Sequence, residues 1–345
     1  MNWEHLYSNQ IYLLYIIFIM LSVGMVKENN LFSPVYAYLQ QVFKSKRLLV
    51  TLMSAFTGIL PIPGRVTTSA GLLDTMAPKS GKGREKYGII DYLATHHYYM
   101  WSPLEKTIIV PMAALGLSYS ALIGMLSPLL VVSIGLVLGY IFFYMKESDI
   151  TIRKSKKSAL KISSITRNVL PLLLAVALVI YGVAPHWAFG ALTIYYMIVT
   201  MTWDYKKLLS YINWNVIISV AVIIAIANVT RTHTEEIKTI LEGTVFDFGT
   251  TFGFIAVSLV GFFGSFLLGS SSRFVALSVL LSSVYGVEYF VWFFAVEFAG
   301  YLVSPMHKCA VIGMTYFGTP FKKYASVLGL WGALMIGTGL ITLLP

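Results

Sequence analysis

The sequence predicts an all-α polytopic membrane protein, an inverted-repeat transporter with about eight crossings, two re-entrant hairpins and two broken helices. Three observations predict it. Of 345 residues, 57% are hydrophobic and 12% charged, the mean hydropathy is +0.75, and the apolar residues gather in stretches near the ~20 needed to span a bilayer. The cations fall mostly in short loops between those stretches, as the cytoplasmic bias of Lys and Arg demands. The second half of the chain also repeats the segment order of the first in the opposite orientation. A soluble enzyme, a nucleic-acid binder and a disordered scaffold do not fit this composition. The formal charge of +10, from 25 Lys and Arg against 15 Asp and Glu, reads as a topology signal.

The first apolar run, 11–26, has neither the basic start nor the cleavage site of a secretory signal and reads as a retained helix. A weakly amphipathic stretch, 31–43, ends at Lys44, Lys46 and Arg47, and the next apolar segment, 48–77, ends at Lys79, Lys82, Arg84 and Lys86. Basic flanks on both sides put both ends in the cytoplasm. Pro61-Ile62-Pro63-Gly64-Arg65 interrupts this segment, leaving arms of about 12 residues, roughly 20 Å, too short for ~30 Å of hydrocarbon. The segment is a re-entrant hairpin with its tip at Pro63-Gly64-Arg65. Residues 88–115 then cross with a break at Ser102-Pro103, and 121–145 return to a loop, 146–167, holding seven Lys and Arg.

Two linker helices, 169–184 and 188–203, return the chain to Lys206 and Lys207, and 214–228 goes out to an acidic loop, 231–247. The second repeat follows: a hairpin at 249–286 interrupted by Gly269-Ser270-Ser271-Ser272-Arg273, a crossing at 287–317 broken at Ser304-Pro305, the basic pair Lys322-Lys323, and an exit over 325–344. The arm 250–268 is long enough to span alone, so this hairpin is less sharply defined. Three regions result: a first repeat over 1–145, a basic loop with two linker helices over 146–207, and a second repeat over 208–345.

Motifs support the duplication. Ser102-Pro103-Leu104-Glu105-Lys106 aligns with Ser304-Pro305-Met306-His307-Lys308, and Arg65 beside Thr67-Thr68-Ser69 aligns with Arg273 beside Ser270-Ser271-Ser272. Broken backbone at mid-depth survives only inside protein or beside water, so the four interruptions point inward. Pro103 and Pro305 are placed to begin half-helices, whose N-terminal N–H groups attract anions; packing kinks are the bland alternative. Arg65, Arg273, Lys106 and Lys308 each cost about 2.5–3.5 kcal/mol at a bilayer centre unless compensated. Either acidic neighbours, among them Asp74, Glu105, Glu288 and Glu297, neutralise them, or an anionic substrate does. The guanidinium fork of Arg65 and Arg273 suits carboxylate, phosphate or sulfate.

Thr67, Thr68, Ser69, Ser270, Ser271 and Ser272 offer donors to an oxyanion, oxygens to Na+, or plain backbone satisfaction. Ser102, Ser304 and His307 complete the expected substrate site; Asp74, Glu105, His97 and Glu297 are the expected carriers of a coupling ion. Of the pair His96-His97, only one can face the site. The lone cysteine, Cys309, allows no intrachain disulfide, no ligand spacing indicates a metal, and no nucleophile triad indicates catalysis.

Pro61-Ile62-Pro63-Gly64 with Thr68-Ser69-Ala70-Gly71-Leu72-Leu73-Asp74, and Leu302-Val303-Ser304-Pro305-Met306-His307 with Tyr316-Phe317, resemble an uncharacterised prokaryotic multi-pass membrane family (domain of unknown function family 401) of the ion-transporter superfamily, related to gluconate, dicarboxylate and citrate permeases and to some Na+/H+ antiporters. The resemblance runs from about Lys44 to the C-terminus. It implies a scaffold domain, a transport domain carrying both hairpins, elevator-type alternating access and a homodimer in the cell membrane. Arg65, Arg273 and Lys308 replace small or apolar residues of that pattern and shift the expected substrate toward a strong anion. The leading expectation is therefore a secondary transporter of an anionic solute driven by Na+ or H+. A cation/proton antiporter, a flippase for a phosphorylated lipid and a non-transporting membrane subunit or receptor are the rivals.

Overall fold

The computed structural model describes residues 3–344 apart from 44, 59–64, 152–161 and 248; the side chains of 3–9, 33, 36, 37, 40, 41, 54, 56–58, 65–68 and 162–165 also lie outside the description. The described residues form helices and no strand. In order they are α1 (Trp3–Glu28), α2 (Ser33–Val42), α3 (Lys46–Gly58), α4 (Arg65–Asp74), α5 (Lys82–His96), α6 (Lys106–Leu115), α7 (Tyr119–Gly139), α8 (Ile162–Ile180), α9 (Pro185–Thr200), α10 (Tyr205–Ser210), α11 (Trp214–Thr232), α12 (Thr234–Leu241), α13 (Thr251–Leu268), α14 (Ser271–Tyr285), α15 (Phe290–Val303), α16 (Lys308–Phe317) and α17 (Phe321–Ile341). Among the described residues six helices are long and apolar enough to cross a membrane: Gln10–Glu28, Tyr119–Tyr144, Trp214–Thr232, Thr251–Leu268, Val287–Phe317 and Phe321–Ile341. The chain is thus a polytopic membrane protein. The expected crossings at 88–115, 169–184 and 188–203 are not among the six.

The halves of the chain coincide in detail. α6 and α16 each have ten residues, and α7 and α17 each have twenty-one. Their starts lie 202 positions apart (106 and 308, 119 and 321), as do the left-handed C-caps Gly116 (φ 69°) and Gly318 (φ 66°). Two residues touch their own counterparts at the same offset: Tyr99 Oη lies 3.1 Å from Tyr301 Oη, and Ser133 Oγ lies 3.7 Å from Met335 Sδ. A residue meets its own image only near a twofold axis. Along α5 and the helical turn 97–100 that follows it, the contacts pass from Glu85 with Thr319, through Tyr92 with His307, to Tyr99 with Tyr301. Partner numbers fall as α5 advances, so the two halves run past each other antiparallel.

Each broken helix has a pair of helices on its flank, α13 and α14 beside α15, and α3 and α4 beside α5. Beside α15, α13 runs parallel: Trp292 Nε1 donates to Ser258 Oγ at 2.9 Å, and Ser304 Oγ donates to the Phe266 carbonyl at 2.5 Å. α14 returns, so that Tyr285, Tyr289 and Phe254 cluster near the start of α15 while Gly269 sits against Ser304–His307. Beside α5, the start of α3 and the end of α4 adjoin the basic end: Lys46 Nζ donates to Ile150 O at 3.0 Å, and Tyr87 Oη donates to Met76 O at 2.8 Å. Farther along, Tyr98 Oη donates to Ala55 O.

Charges gather at one end of this assembly. Arg84 pairs with Asp74 at 2.5 Å, Lys86 with Asp149 at 2.7 Å, Lys323 with Glu85 at 3.5 Å and Arg47 with Glu147 at 3.9 Å. The helix ends and the loop holding them are far apart in sequence and meet at one end of the bundle. A second group, Lys207 with Glu28 at 2.6 Å, joins α10 to the end of α1.

Candidate functional site

The site is built around the two helix breaks. In the first, Ser102 Oγ accepts from Leu104 N–H at 3.3 Å; in the second, Ser304 Oγ accepts from Met306 N–H at 3.2 Å. A hydroxyl bonded two residues ahead holds the chain in a turn, which is why Ser-Pro recurs. The prolines themselves lie within the turns. The half-helices begin at Lys106 and Lys308, with Glu105 and His307 as N-caps in extended conformation. This corrects the expectation that Pro103 and Pro305 start them: the serine turn occupies three residues before helical geometry resumes. The first break is further sealed by Tyr15 Oη on Pro103 O and by Tyr119 Oη on Trp101 O at 2.5 Å.

The starts of α6, α14 and α16 converge there. Lys106 Nζ donates to Ser272 Oγ at 2.7 Å, tying the first half-helix to the second hairpin tip. A Cβ on Gly269 would stand 2.7 Å from the Met306 carbonyl carbon and 2.9 Å from His307 N, so the tip rests on the second break. None of the N-caps Glu105, Ser270 and His307 gives its side chain to its own helix start. At the ends of other helices, Ser118, Asn213 and Thr250 do cap theirs. Uncapped starts offer N–H groups and the positive end of the helix dipole to an anion. Lysines at the first position of α6 and α16 oppose that dipole, a placement that an intervening anion would offset.

The expected residues divide sharply. Ser102, Lys106, Ser270, Ser271, Ser272, Ser304 and His307 lie at the breaks or the second tip. Arg273 and Lys308 are exposed beside them. Arg65 opens α4, but its side chain and those of Thr67 and Thr68 lie outside the described residues, as does the tip at Pro63-Gly64. Ser69 is fully buried. Asp74 ends α4 at the charged end, in its pair with Arg84. His97 accepts at Nδ1 from Trp101 Nε1 at 3.0 Å. Glu105 is buried at the start of α6. Glu297 is buried in α15; its Oε2 accepts from Ser278 Oγ at 2.6 Å, and Oε1 has no hydrogen-bond partner among the described residues.

One cluster was not legible as a motif. His96, rather than His97, turns inward and brings Nε2 to 3.3 Å from Nε2 of His307. Tyr92 Oη lies 2.7 Å from His307 Nδ1, Tyr301 Oη lies 2.9 Å from His307 Nε2, and the Tyr92 ring stacks on His96 at 3.7 Å. All four are buried. The 202-residue offset matches Tyr99 with Tyr301 but sets His96 against Phe298 and His307 against Glu105, so it carries no signal for the histidine pair.

Fold and site together define a helical, multi-pass membrane protein with paired, interrupted helices at its centre. Residues 5–344 match the family described as Protein of unknown function (DUF401), and the chain belongs to that family. No curated protein matches it.

Proposed function

We propose that the protein is a secondary active transporter of an anionic solute, a carboxylate, sugar acid, phosphate or sulfate, coupled to Na+ or H+. The observation that carries this reading is the convergence of three uncapped helix starts on Lys106 and Ser272. Antiparallel halves that meet along an axis across the helices, each with a hairpin beside a broken helix, fit an inverted repeat with two re-entrant arms and binding at mid-depth. In this reading α13 dips to the breaks, despite a length sufficient to cross. The hairpin-bearing unit moves past α1, α8, α9 and α11 in an elevator-like step, and a homodimer holds the scaffold still. The charged end faces the cytoplasm.

Glu297 is the coupling residue in this scheme, since Asp74 and His97 are engaged elsewhere and a buried carboxylate with a spare oxygen suits a cation or proton. Proteoliposomes loaded with a panel of labelled anions under imposed Na+ or pH gradients test it: uptake of one anion class is expected, and Lys106→Gln, Arg65→Gln or Arg273→Gln abolishes it. The same carboxylate favours a second reading, a cation/proton antiporter of identical architecture. Na+/H+ exchange that persists in all three variants without any anion would decide for that reading.

A further inference from the structure

His96, His307 and Cys309 place one ligand atom each within 4.8 Å of one another. The two imidazole Nε2 atoms are 3.3 Å apart, and two nitrogens bound tetrahedrally at ~2.05 Å to one zinc ion stand about 3.3 Å apart. We propose that these three residues form a binding site for a zinc-type transition-metal ion that clamps α5 of the first half to the start of α16 in the second.

The break in the helix makes the site possible. His307 and Cys309 are two positions apart, and on a continuous helix such side chains point in divergent directions. His307 is instead an extended N-cap (φ −75°, ψ 106°), so its ring folds back toward the helix start where Cys309 is the second residue. The outer nitrogens are already held. His96 Nδ1 lies 2.8 Å from the Tyr92 carbonyl, which only accepts; Nδ1 therefore carries the proton and Nε2 presents a lone pair. His307 Nδ1 lies 2.7 Å from Tyr92 Oη. A backbone carbonyl on the far nitrogen, as at His96, is among the usual outer partners of metal-bound histidines. Stacking on Tyr92 fixes the His96 ring.

Two imidazoles and a thiolate form a borderline-soft set that selects zinc and its neighbours over Na+, Mg2+ or Ca2+. Binding releases the Cys309 thiol proton to solvent, while His96 binds in its neutral form. Water or Tyr301 Oη, 2.9 Å from His307 Nε2, completes the tetrahedron. The other half lacks this set: at the 202-residue offset, His307 and Cys309 correspond to Glu105 and Thr107, and His96 to Phe298. The ligands come from both halves, and the twofold-related position, Phe298 with Glu105 and Thr107, cannot form a second such site.

Metal binding is read directly, without gradients or substrate, on the purified, untagged full chain in detergent, so its outcome does not depend on transport being observed. Zn2+ is expected to bind one ion per chain, and Co2+ to give a thiolate-to-cobalt charge-transfer band in the near ultraviolet. Cys309→Ser should erase the band, and His96→Gln should weaken Zn2+ binding at least about tenfold, while His233→Gln, an exposed histidine, changes nothing. The native chain supplies a check free of folding effects: its one cysteine should be protected from a small thiol reagent by Zn2+ and not by Na+ or Mg2+. Absence of stoichiometric Zn2+ binding, affinity unchanged in both ligand variants, or undiminished Cys309 labelling at saturating Zn2+ would overturn the site.

Discussion

Adjacent histidines on one helix turn meet different surroundings: His96 faces His307 across the halves, whereas His97 is held by the Trp101 indole. A ~100° step around the helix separates them, and the sequence shows that they differ without showing which one turns inward. The same holds for the acids. Glu105 and Glu297 are both buried, but only the neighbours identify Glu297, which has Ser278 on one oxygen and the backbone of Gly261 so close that a Cβ there would stand 2.7 Å from the other. Glu297→Gln keeps the Ser278 bond and removes the titratable charge. Its expected effect is uptake that no longer responds to the imposed ion gradient, read as equal rates with and without the gradient in proteoliposomes; a preserved gradient response would reassign coupling. Gly261→Ala pushes on the same carboxylate and should impair coupled uptake with little change in substrate affinity.

At the scale of elements, the sequence carried the breaks well, because Ser-Pro interrupts an apolar run in both halves and the structure turns at both. It carried the hairpin tips less well. A tip is defined by what it rests on, and the contact of Gly269 with Met306 and His307 joins residues far apart in the chain. Gly269 has φ 53°, so Gly269→Ala combines a left-handed backbone cost of about 1–2 kcal/mol with overpacking of a further ~1–3 kcal/mol. The thermal unfolding midpoint should fall by several degrees, more than for alanine at the open Gly337.

The loop after α7 gives an element its pH dependence. Burial opposes the charge of Asp149, but bonds from Lys86 Nζ and the Lys146 N–H outweigh it and hold the carboxyl below its ordinary 3.8. A depressed folded value means stabilisation that is complete above the unfolded value of about 3.9 and lost as pH falls through the folded one. The midpoint of the native chain should therefore exceed that of Asp149→Asn near neutrality, with the gap closing below about pH 4.

For the whole molecule, orientation follows from charge that the fold collects at one end. The segments 78–86, 146–149 and 322–323 are tied together by Lys86–Asp149, Lys323–Glu85 and Lys323 stacked over Tyr144, so they lie together at one end of the molecule. Hydropathy and the basic loops made that much readable, while the antiparallel contact of the halves needed coordinates, since sequence order alone does not bring Tyr99 onto Tyr301. Single cysteines in a Cys309→Ser background test the arrangement. Ser80→Cys, exposed in the basic loop, should resist a membrane-impermeant thiol reagent on intact cells. Ser120→Cys, Glu242→Cys and Glu288→Cys, exposed at the opposite ends of their helices, should all react. The decisive pair brackets the second hairpin. Glu242 precedes α13 and Glu288 follows α14, so labelling of both from outside requires an even number of passages between them. Labelling of only one would mean that α13 crosses alone, which would remove the dipping arm and with it the proposed mid-depth meeting of the tip with the two breaks.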